Sequence, residues 1–163
     1  MVKKLFLIRH AQAEPASNVP TDFERRLTAS GIRNAYLIGQ YLKQEGVKPD
    51  GMISSTAVRA KLTVETIATQ LEFDIEKVAY TDTIYEASVR ELFELVSDLD
   101  DHLDVVFVVG HNPAITFLAD YLANTALPGM KAASVAQINF QADSWSLLTK
   151  NSGEFINYYD QVD

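Results

Sequence analysis

The sequence predicts an α/β fold, a three-layer sandwich in which a mostly parallel central sheet carries helices on both faces. Short apolar runs of strand length alternate along the chain with longer segments whose apolar residues recur at helical spacing, a pattern typical of βαβ units. The run VVFVV at 105–109 is continuously β-branched or aromatic, as expected of a central strand covered on both faces. Because no repeat or interdomain linker interrupts this alternation, we expect residues 1–163 to form a single domain.

Each predicted element follows from its apolar pattern and from the residues that bound it. Thr28 is the expected N-cap of the first helix, and Ser88 with Glu91 forms a capping box for the third. Polar residues and two prolines predict a loop over 11–20. The last three strands alternate more and are expected near one sheet edge, where antiparallel pairing can end the sheet. The predicted strands are 2–8, 52–54, 78–81, 105–109, 134–140, 144–149 and 154–158, and the predicted helices are 29–45, 56–71, 89–98 and 114–122.

Composition excludes several classes of function. The 163 residues include no cysteine, which excludes disulfides and thiolate metal sites and fits a reducing compartment. A net charge of −8 without a basic stripe argues against nucleic acid as a partner. The N-terminal apolar run is too short to span a membrane and lacks a signal-peptide cleavage site. We therefore expect a cytoplasmic protein with no membrane partner, in which an anion site would be a local positive pocket.

The most informative stretch is LFLIRHAQAE at 5–14, where a buried strand runs directly into Arg9 and His10. Ligands of open α/β sheets bind at the carboxyl ends of strands. Arginine offers a planar fork of donors that matches phosphate oxygens, and a neutral imidazole can attack phosphorus and hold the phosphoryl group covalently. An isolated dipeptide of this kind is more often a surface cation beside a core histidine, so the prediction depends on two further segments.

Those two segments repeat the same arrangement. In ISSTAVRAK at 53–61 a strand end is followed by Arg59 in the first turns of a helix, where phosphate is favoured. In VVFVVGHNP at 105–113 a strand ends at Gly110 and His111 follows it. Two histidines could also bind zinc, but the neighbouring arginines would repel a metal ion and no third ligand has a suitable spacing. The sequence therefore predicts a phosphate site with neither a metal nor another cofactor.

Five segments of the chain form a recognisable series: LIRHAQAE (7–14), DFERRLTASG (22–31), SSTAVRA (54–60), YEAS (85–88) and VGHNP (109–113). In this order they resemble the histidine phosphatase superfamily, which is phosphoglycerate mutase-like, and most of all its compact SixA-type phosphohistidine phosphatase branch. The resemblance covers nearly the whole chain. Three positions depart from the usual pattern: Thr56 replaces a proline, Leu62 replaces a glutamine, and Arg26 replaces a proline and adds a cation near the expected mouth of the site.

The resemblance implies a role for each matching residue. His10 would be the nucleophile that becomes phosphorylated, Arg9, Arg59 and His111 would complete the phosphate pocket, and Arg25 would lie beside it. Glu86 stands where the superfamily often carries its general acid. The compact branch can do without that acid, because a phosphoramidate nitrogen is readily protonated by solvent, and a helix N-terminus favours a glutamate in any case.

The predicted function is a metal-independent phosphatase acting through a phosphohistidine intermediate on His10. Its substrate would be phosphohistidine on a protein, such as a histidine phosphotransfer domain, or a small phosphorylated metabolite. The short chain leaves little room for a deep lid, which favours a protein-borne group. The alternatives are a non-catalytic module that binds phosphate or a phosphoprotein and a phosphoglycerate-type mutase, which usually needs extra capping segments.

Overall fold

The computed structural model describes residues 1–161, which form one six-stranded sheet in the order β3-β2-β4-β1-β5-β6, with helices against it. The strands are β1 (Val2–Arg9), β2 (Gly51–Ser55), β3 (Ala79–Thr81), β4 (Val105–Gly110), β5 (Ser134–Gln141) and β6 (Glu154–Asp160). The α-helices are α1 (Ala29–Gln44), α2 (Val58–Gln70), α3 (Val89–Ser97) and α4 (Ala114–Ala123).

Strand direction confirms the predicted fold class. β3, β2, β4 and β1 are mutually parallel, whereas β5 pairs antiparallel with β1 and β6 antiparallel with β5. The parallel strands are joined through helices, because parallel pairing needs a long crossover connection. The carboxyl ends of β1, β2 and β4 therefore meet at one edge of the sheet, where the chemistry-bearing residues were predicted.

The core lies on both sides of the sheet because successive side chains of a strand point to opposite faces. On β1, Leu5 and Leu7 pack with α3 and α4, while Phe6 and Ile8 pack with α1 and α2. All four side chains are buried. Two separate apolar clusters thus hold the strand from both faces, which confirms the predicted three-layer arrangement and fixes the position of its carboxyl end.

The predicted starts of the first and third helices are confirmed by their caps. The Thr28 hydroxyl accepts the Gly31 N–H at 2.9 Å, and Ser88 and Glu91 form a reciprocal capping box. Gly31 is also where α1 approaches the loop after β1, since a Cβ there would lie 2.2 Å from the Gln12 carbonyl oxygen. Glycine therefore allows α1 to pack directly beside the segment that follows His10.

The predicted strand at 144–149 is wrong. Trp145–Leu147 form a 3₁₀ turn, capped by the Ser144 hydroxyl, which accepts the Ser146 N–H. The alternating pattern arises because Trp145 is fully buried and its indole N–H donates to the Leu103 carbonyl at 2.7 Å. One-sided burial of a turn produces the same alternation as a strand. The helix predicted over 56–71 begins later than expected, at Val58.

Within residues 1–161, none of the helices combines the length and the apolar character that crossing a bilayer would need.

Candidate active site

The sheet register places the two predicted histidines side by side. Arg9 pairs with Gly110 across the β1–β4 ladder, so His10 and His111 are the next residues of two adjacent parallel strands. Their ring centroids lie 5.0 Å apart. Ser55 ends β2 on the other side of β4. Three neighbouring strand ends therefore meet at the candidate site.

The His10 ring is oriented by its own chain. Its Nδ1 lies 2.8 Å from the Ala11 carbonyl oxygen, which can only accept a hydrogen bond, so Nδ1 carries the proton and Nε2 keeps its lone pair. The Ala11 N–H in turn donates to the Thr63 hydroxyl at 3.0 Å, which ties this peptide to α2. The arrangement presents Nε2 as the nucleophilic nitrogen.

The surroundings of His10 keep the ring neutral. Burial, joined by nearby His111, Arg59 and Arg9, lowers the pKa of His10 to about 3, against the hydrogen bond with the Ala11 carbonyl, which raises it. A protonated ring would place a third charge beside two guanidiniums in a poorly solvated position. At neutral pH the imidazole therefore has the free lone pair that attack on phosphorus requires.

Arg59 lies in the first turn of α2 with its side chain 8% exposed. Its Nε–H donates a long hydrogen bond to His10 Nε2 at 3.4 Å. Its terminal nitrogens are held by Asp22, with Nη1 donating to the backbone carbonyl at 2.8 Å and Nη2 to Oδ2 at 2.9 Å. Asp22 thus holds the guanidinium with its Nε edge directed at the nucleophile.

Asp22 is a functional neighbour that the sequence reasoning missed. Its carboxylate accepts hydrogen bonds from Tyr85 at 2.7 Å, Arg25 at 3.0 Å and Arg59 at 2.9 Å. These contacts, with that from Tyr85 the largest, hold the pKa of Asp22 well below its usual range. The only signal in the sequence was its place three residues before Arg25. Tyr85, whose ring lies edge-on to His111 at 5.6 Å, was missed as well.

Arg9 and His111 each keep one nitrogen without a partner. Arg9 donates through Nη1 to the Met130 carbonyl at 2.8 Å, and His111 Nε2 lies 2.8 Å from the Ser55 hydroxyl. Burial, followed by Arg59, lowers the pKa of His111 to about 4. Arg9 Nε and His111 Nδ1 are the buried side-chain polar atoms that have no hydrogen-bond partner among residues 1–161.

This coincidence gives the site unsatisfied nitrogens of the kind that an anion could bind. A buried polar group without a partner costs about 1–3 kcal/mol, and most such groups in native proteins are satisfied. Here both exceptions belong to neighbours of His10, since Arg9 precedes it in the chain and the His111 ring lies 5.0 Å from its own. A bound oxyanion would supply the missing acceptors to donors of this kind.

The remaining predicted residues lie further out. Arg25 donates to Asp22 and to the Glu14 carbonyl, so it reaches the site through Asp22. Glu86 is exposed beside Tyr85, and Arg26 is exposed as well. Neither of these two side chains forms a hydrogen bond in the part of the chain that the structure describes. The structure thus brings together Arg9, His10, Arg59 and His111, with Arg25 behind Asp22.

The chain is similar to known proteins over much of its length. The family model of the histidine phosphatase superfamily (branch 1) matches residues 5–89. An uncharacterized protein of Mycobacterium tuberculosis is 30% identical over 133 residues, covering 81% of this chain and 78% of that protein.

Solved structures share the whole fold. A protein assigned as the phosphohistidine phosphatase SixA of Nakamurella multipartitia superposes with a TM-score of 0.88 at 25% identity, covering 100% of this chain and 98% of its own. The protein histidine phosphatase SixA complexed with tungstate has the same fold, with a TM-score of 0.82 at 21% identity over 96% of each chain.

Proposed function

The chain belongs to the histidine phosphatase superfamily and is a phosphatase, and we propose that it hydrolyses its substrate through a covalent phosphohistidine on His10, without a metal ion. The observation that carries the proposal is the pair of unpartnered buried nitrogens, Arg9 Nε and His111 Nδ1, on the two residues that flank a neutral His10 with an unprotonated Nε2.

In the first step the Nε2 lone pair of His10 attacks phosphorus, and the N–P bond forms as the bond from phosphorus to the leaving atom breaks in line with it. The bonding pair departs with the leaving group, which takes up a proton. Arg9, Arg59 and His111 donate to the equatorial oxygens, where charge spreads in a loose transition state. Catalysis therefore depends mainly on positioning and charge neutralisation.

In the second step water attacks the phosphohistidine. An O–P bond forms, the N–P bond breaks, and its electron pair returns to His10 Nε2, while the water gives up a proton and inorganic phosphate leaves. Because Nδ1 of His10 stays bonded to the Ala11 carbonyl throughout, the ring recovers the tautomer in which it started. No group beyond the chain and water is required.

Two substrate classes fit this site. The related structures carry the names phosphohistidine phosphatase and protein histidine phosphatase, which supports phosphohistidine on a protein, such as a histidine phosphotransfer domain. Its nitrogen leaving group can be protonated by solvent. A small phosphomonoester is the other class, and for it Glu86, exposed at the rim beside Tyr85, is the candidate proton donor.

The proposal is tested by measuring turnover with a chelator present, on a generic phosphomonoester and on a phosphohistidine protein. Wild type is compared with His10→Ala and with His102→Ala, which removes an exposed histidine from another part of the molecule. We expect turnover by wild type and His102→Ala and none by His10→Ala. Equal inactivity of wild type and His10→Ala, with equal tungstate binding, would instead identify a binding module.

The ratio of the two rates identifies the substrate class. Glu86→Gln sharpens it, because loss of a proton donor slows esters with poor leaving groups and leaves a phosphoramidate unaffected. An equal effect of Glu86→Gln on both substrates would exclude the acid role.

A further inference from the structure

The two ring nitrogens of His111 have different surroundings. Nε2 lies 2.8 Å from the hydroxyl oxygen of Ser55. Nδ1 is buried and has no hydrogen-bond partner within residues 1–161. The ring nitrogen that carries the proton donates a hydrogen bond, and the other one accepts. The position of one proton therefore decides whether His111 offers the phosphate site a donor or a lone pair.

Ser55 is placed to decide that position. It is the last residue of β2 and is fully buried. Its hydroxyl oxygen already accepts the Ala57 N–H at 3.1 Å, so the hydroxyl proton is available for donation. In the described part of the chain, the acceptor within reach of that proton is His111 Nε2. A donated proton makes Nε2 the acceptor and leaves the ring proton on Nδ1.

His111 has a defined tautomer only when its ring is neutral, because a protonated histidine carries a proton on both nitrogens. Burial and the neighbouring Arg59 lower the pKa of His111 to about 4. At neutral pH the ring therefore has one proton, and the hydrogen bond at one nitrogen fixes the state of the other.

We propose that Ser55 is a positioning residue that holds His111 in the Nδ1–H tautomer, so that His111 donates to an oxygen of the transferring phosphoryl group. The inference rests on the proposed function, which supplies that oxygen. In the opposite tautomer the Nδ1 lone pair would face a negatively charged oxygen and repel it. Without the Ser55 hydroxyl, the ring proton is no longer confined to Nδ1.

The chain offers a matched control in Ser54. It lies on the same strand and is also fully buried, but its hydroxyl donates to the Ser55 carbonyl at 2.9 Å. Removing a transition-state donor outright costs about 10²–10³-fold in kcat. For Ser55→Ala, which loosens such a donor, we expect kcat to fall by roughly tenfold to a hundredfold. Ser54→Ala should leave kcat unchanged, and Ser55→Thr, which keeps a hydroxyl, should restore most of it.

The same substitution made in a protein that lacks the His111 ring separates an effect on the tautomer from an effect on the structure around Ser55. Ser55 also binds the Ala57 N–H, two residues before Arg59, so its loss could act through the start of α2. In a His111→Ala protein, Ser55→Ala should cause little further loss, because the ring it positions is absent. An undiminished loss there would overturn the proposal.

The tautomer itself is read by long-range ¹H–¹⁵N NMR of the histidine rings, which is feasible because the chain has 3 histidines. We expect wild-type His111 to carry its proton on Nδ1 and Ser55→Ala to shift it towards a mixture of tautomers. A proton on Nε2 in wild type would overturn the proposal even in an active enzyme. An Nδ1 proton in a protein without turnover would support the tautomer assignment and contradict the phosphatase mechanism instead.

Discussion

Each end of β1 carries a cation, and the two cations differ in their burial and in their partners. At the amino end Lys3 is 1% exposed, and its Nζ donates to the Asp104 carboxylate at 2.8 Å and to the Asp101 carbonyl at 2.6 Å. It also lies 5.9 Å from the centroid of the Trp145 ring. At the carboxyl end Arg9 has one partner, the Met130 carbonyl, and a buried Nε with none among the described residues.

The difference separates a structural cation, Lys3, from a functional one, Arg9. We call the amino end of β1 around Lys3 the structural end and the carboxyl end around Arg9 and His10 the functional end. A buried charge whose partners all come from the chain ties distant segments together, here β1 to the turn before β4. A buried donor without a partner lowers stability and persists where a ligand completes it. Both ends lie on the same strand between the same two apolar clusters, so the contrast comes from the polar partners.

The largest effect is expected from a substitution of Arg59, whose side chain contacts His10 at the functional end of β1. Arg59→Lys removes the planar fork that bridges Asp22 and the Nε2 side of His10. Because a lysine cannot serve both directions, kcat/KM should fall by about 10²–10³-fold. Steady-state kinetics measure it, with the exposed Arg90→Lys as the control. A loss shared equally by Arg90→Lys would show that the chemistry does not depend on this geometry.

Supplying the missing partners should stabilise the functional end. Tungstate should bind the folded protein at the unpartnered nitrogens and raise the free energy of unfolding by about 2.7 kcal/mol at a hundredfold excess over its Kd. Thermal or urea unfolding measures the gain. Arg9→Ala should remove most of it, since the guanidinium supplies one of those nitrogens. A gain that is unchanged in Arg9→Ala would place the anion elsewhere.

Breaking the structural end should affect stability alone. Lys3→Met keeps the buried apolar stem and deletes the donor to Asp104 and Asp101. Because Asp104 is 46% exposed and can be rehydrated, we expect a loss of about 1–3 kcal/mol in the free energy of unfolding, with kcat/KM unchanged. The neighbouring exposed Lys4→Met is the control. A fall in kcat/KM for Lys3→Met without a loss of stability would contradict the distinction.

The pH dependence of the free energy of unfolding tests whether the fold keeps the two histidine rings neutral. His10 and His111 have folded pKa values of about 3 and about 4, below the ordinary value of 6.5. Between those values the unfolded chain binds more protons than the folded one, so their contribution to stability is present above pH 6.5 and is lost as the pH falls towards 4. Urea unfolding at pH 7 and pH 5 should show lower stability at pH 5.

The double variant His10→Asn/His111→Asn should show a smaller difference between the two pH values. A wild-type stability independent of pH over this range would mean that the two rings are not held neutral by the fold.

Sequence patterns predicted those site residues whose position is determined by the end of a strand. His10 and His111 follow apolar strands, and parallel register brings such positions together. Asp22 and Ser55 were not assigned because their partners come from distant segments: Tyr85 is 63 residues from Asp22, and His111 is 56 from Ser55. No local pattern states which hydroxyl meets which ring.

The same limit explains Lys3 and the strand wrongly predicted at 144–149. In the sequence Lys3 is one of two adjacent lysines, and nothing local distinguishes the buried one from the exposed Lys4. Its burial depends on the turn around Trp145, more than a hundred residues away, whose indole and backbone N–H groups bind the segment at 101–103. Periodicity reports that a residue is buried, and it does not report what covers it.

The proposed mechanism requires that a phosphoryl group bind covalently to Nε2 of His10, the residue that follows β1. The most direct measurement is ³¹P NMR of the phosphoenzyme trapped by rapid quenching at alkaline pH, with the modified peptide identified by mass spectrometry. Because Nδ1 is engaged by the Ala11 carbonyl, we expect acid-labile phosphohistidine on Nε2 of His10. Turnover without such an adduct, or phosphate on Nδ1 or on another residue, would contradict the proposed phosphohistidine mechanism.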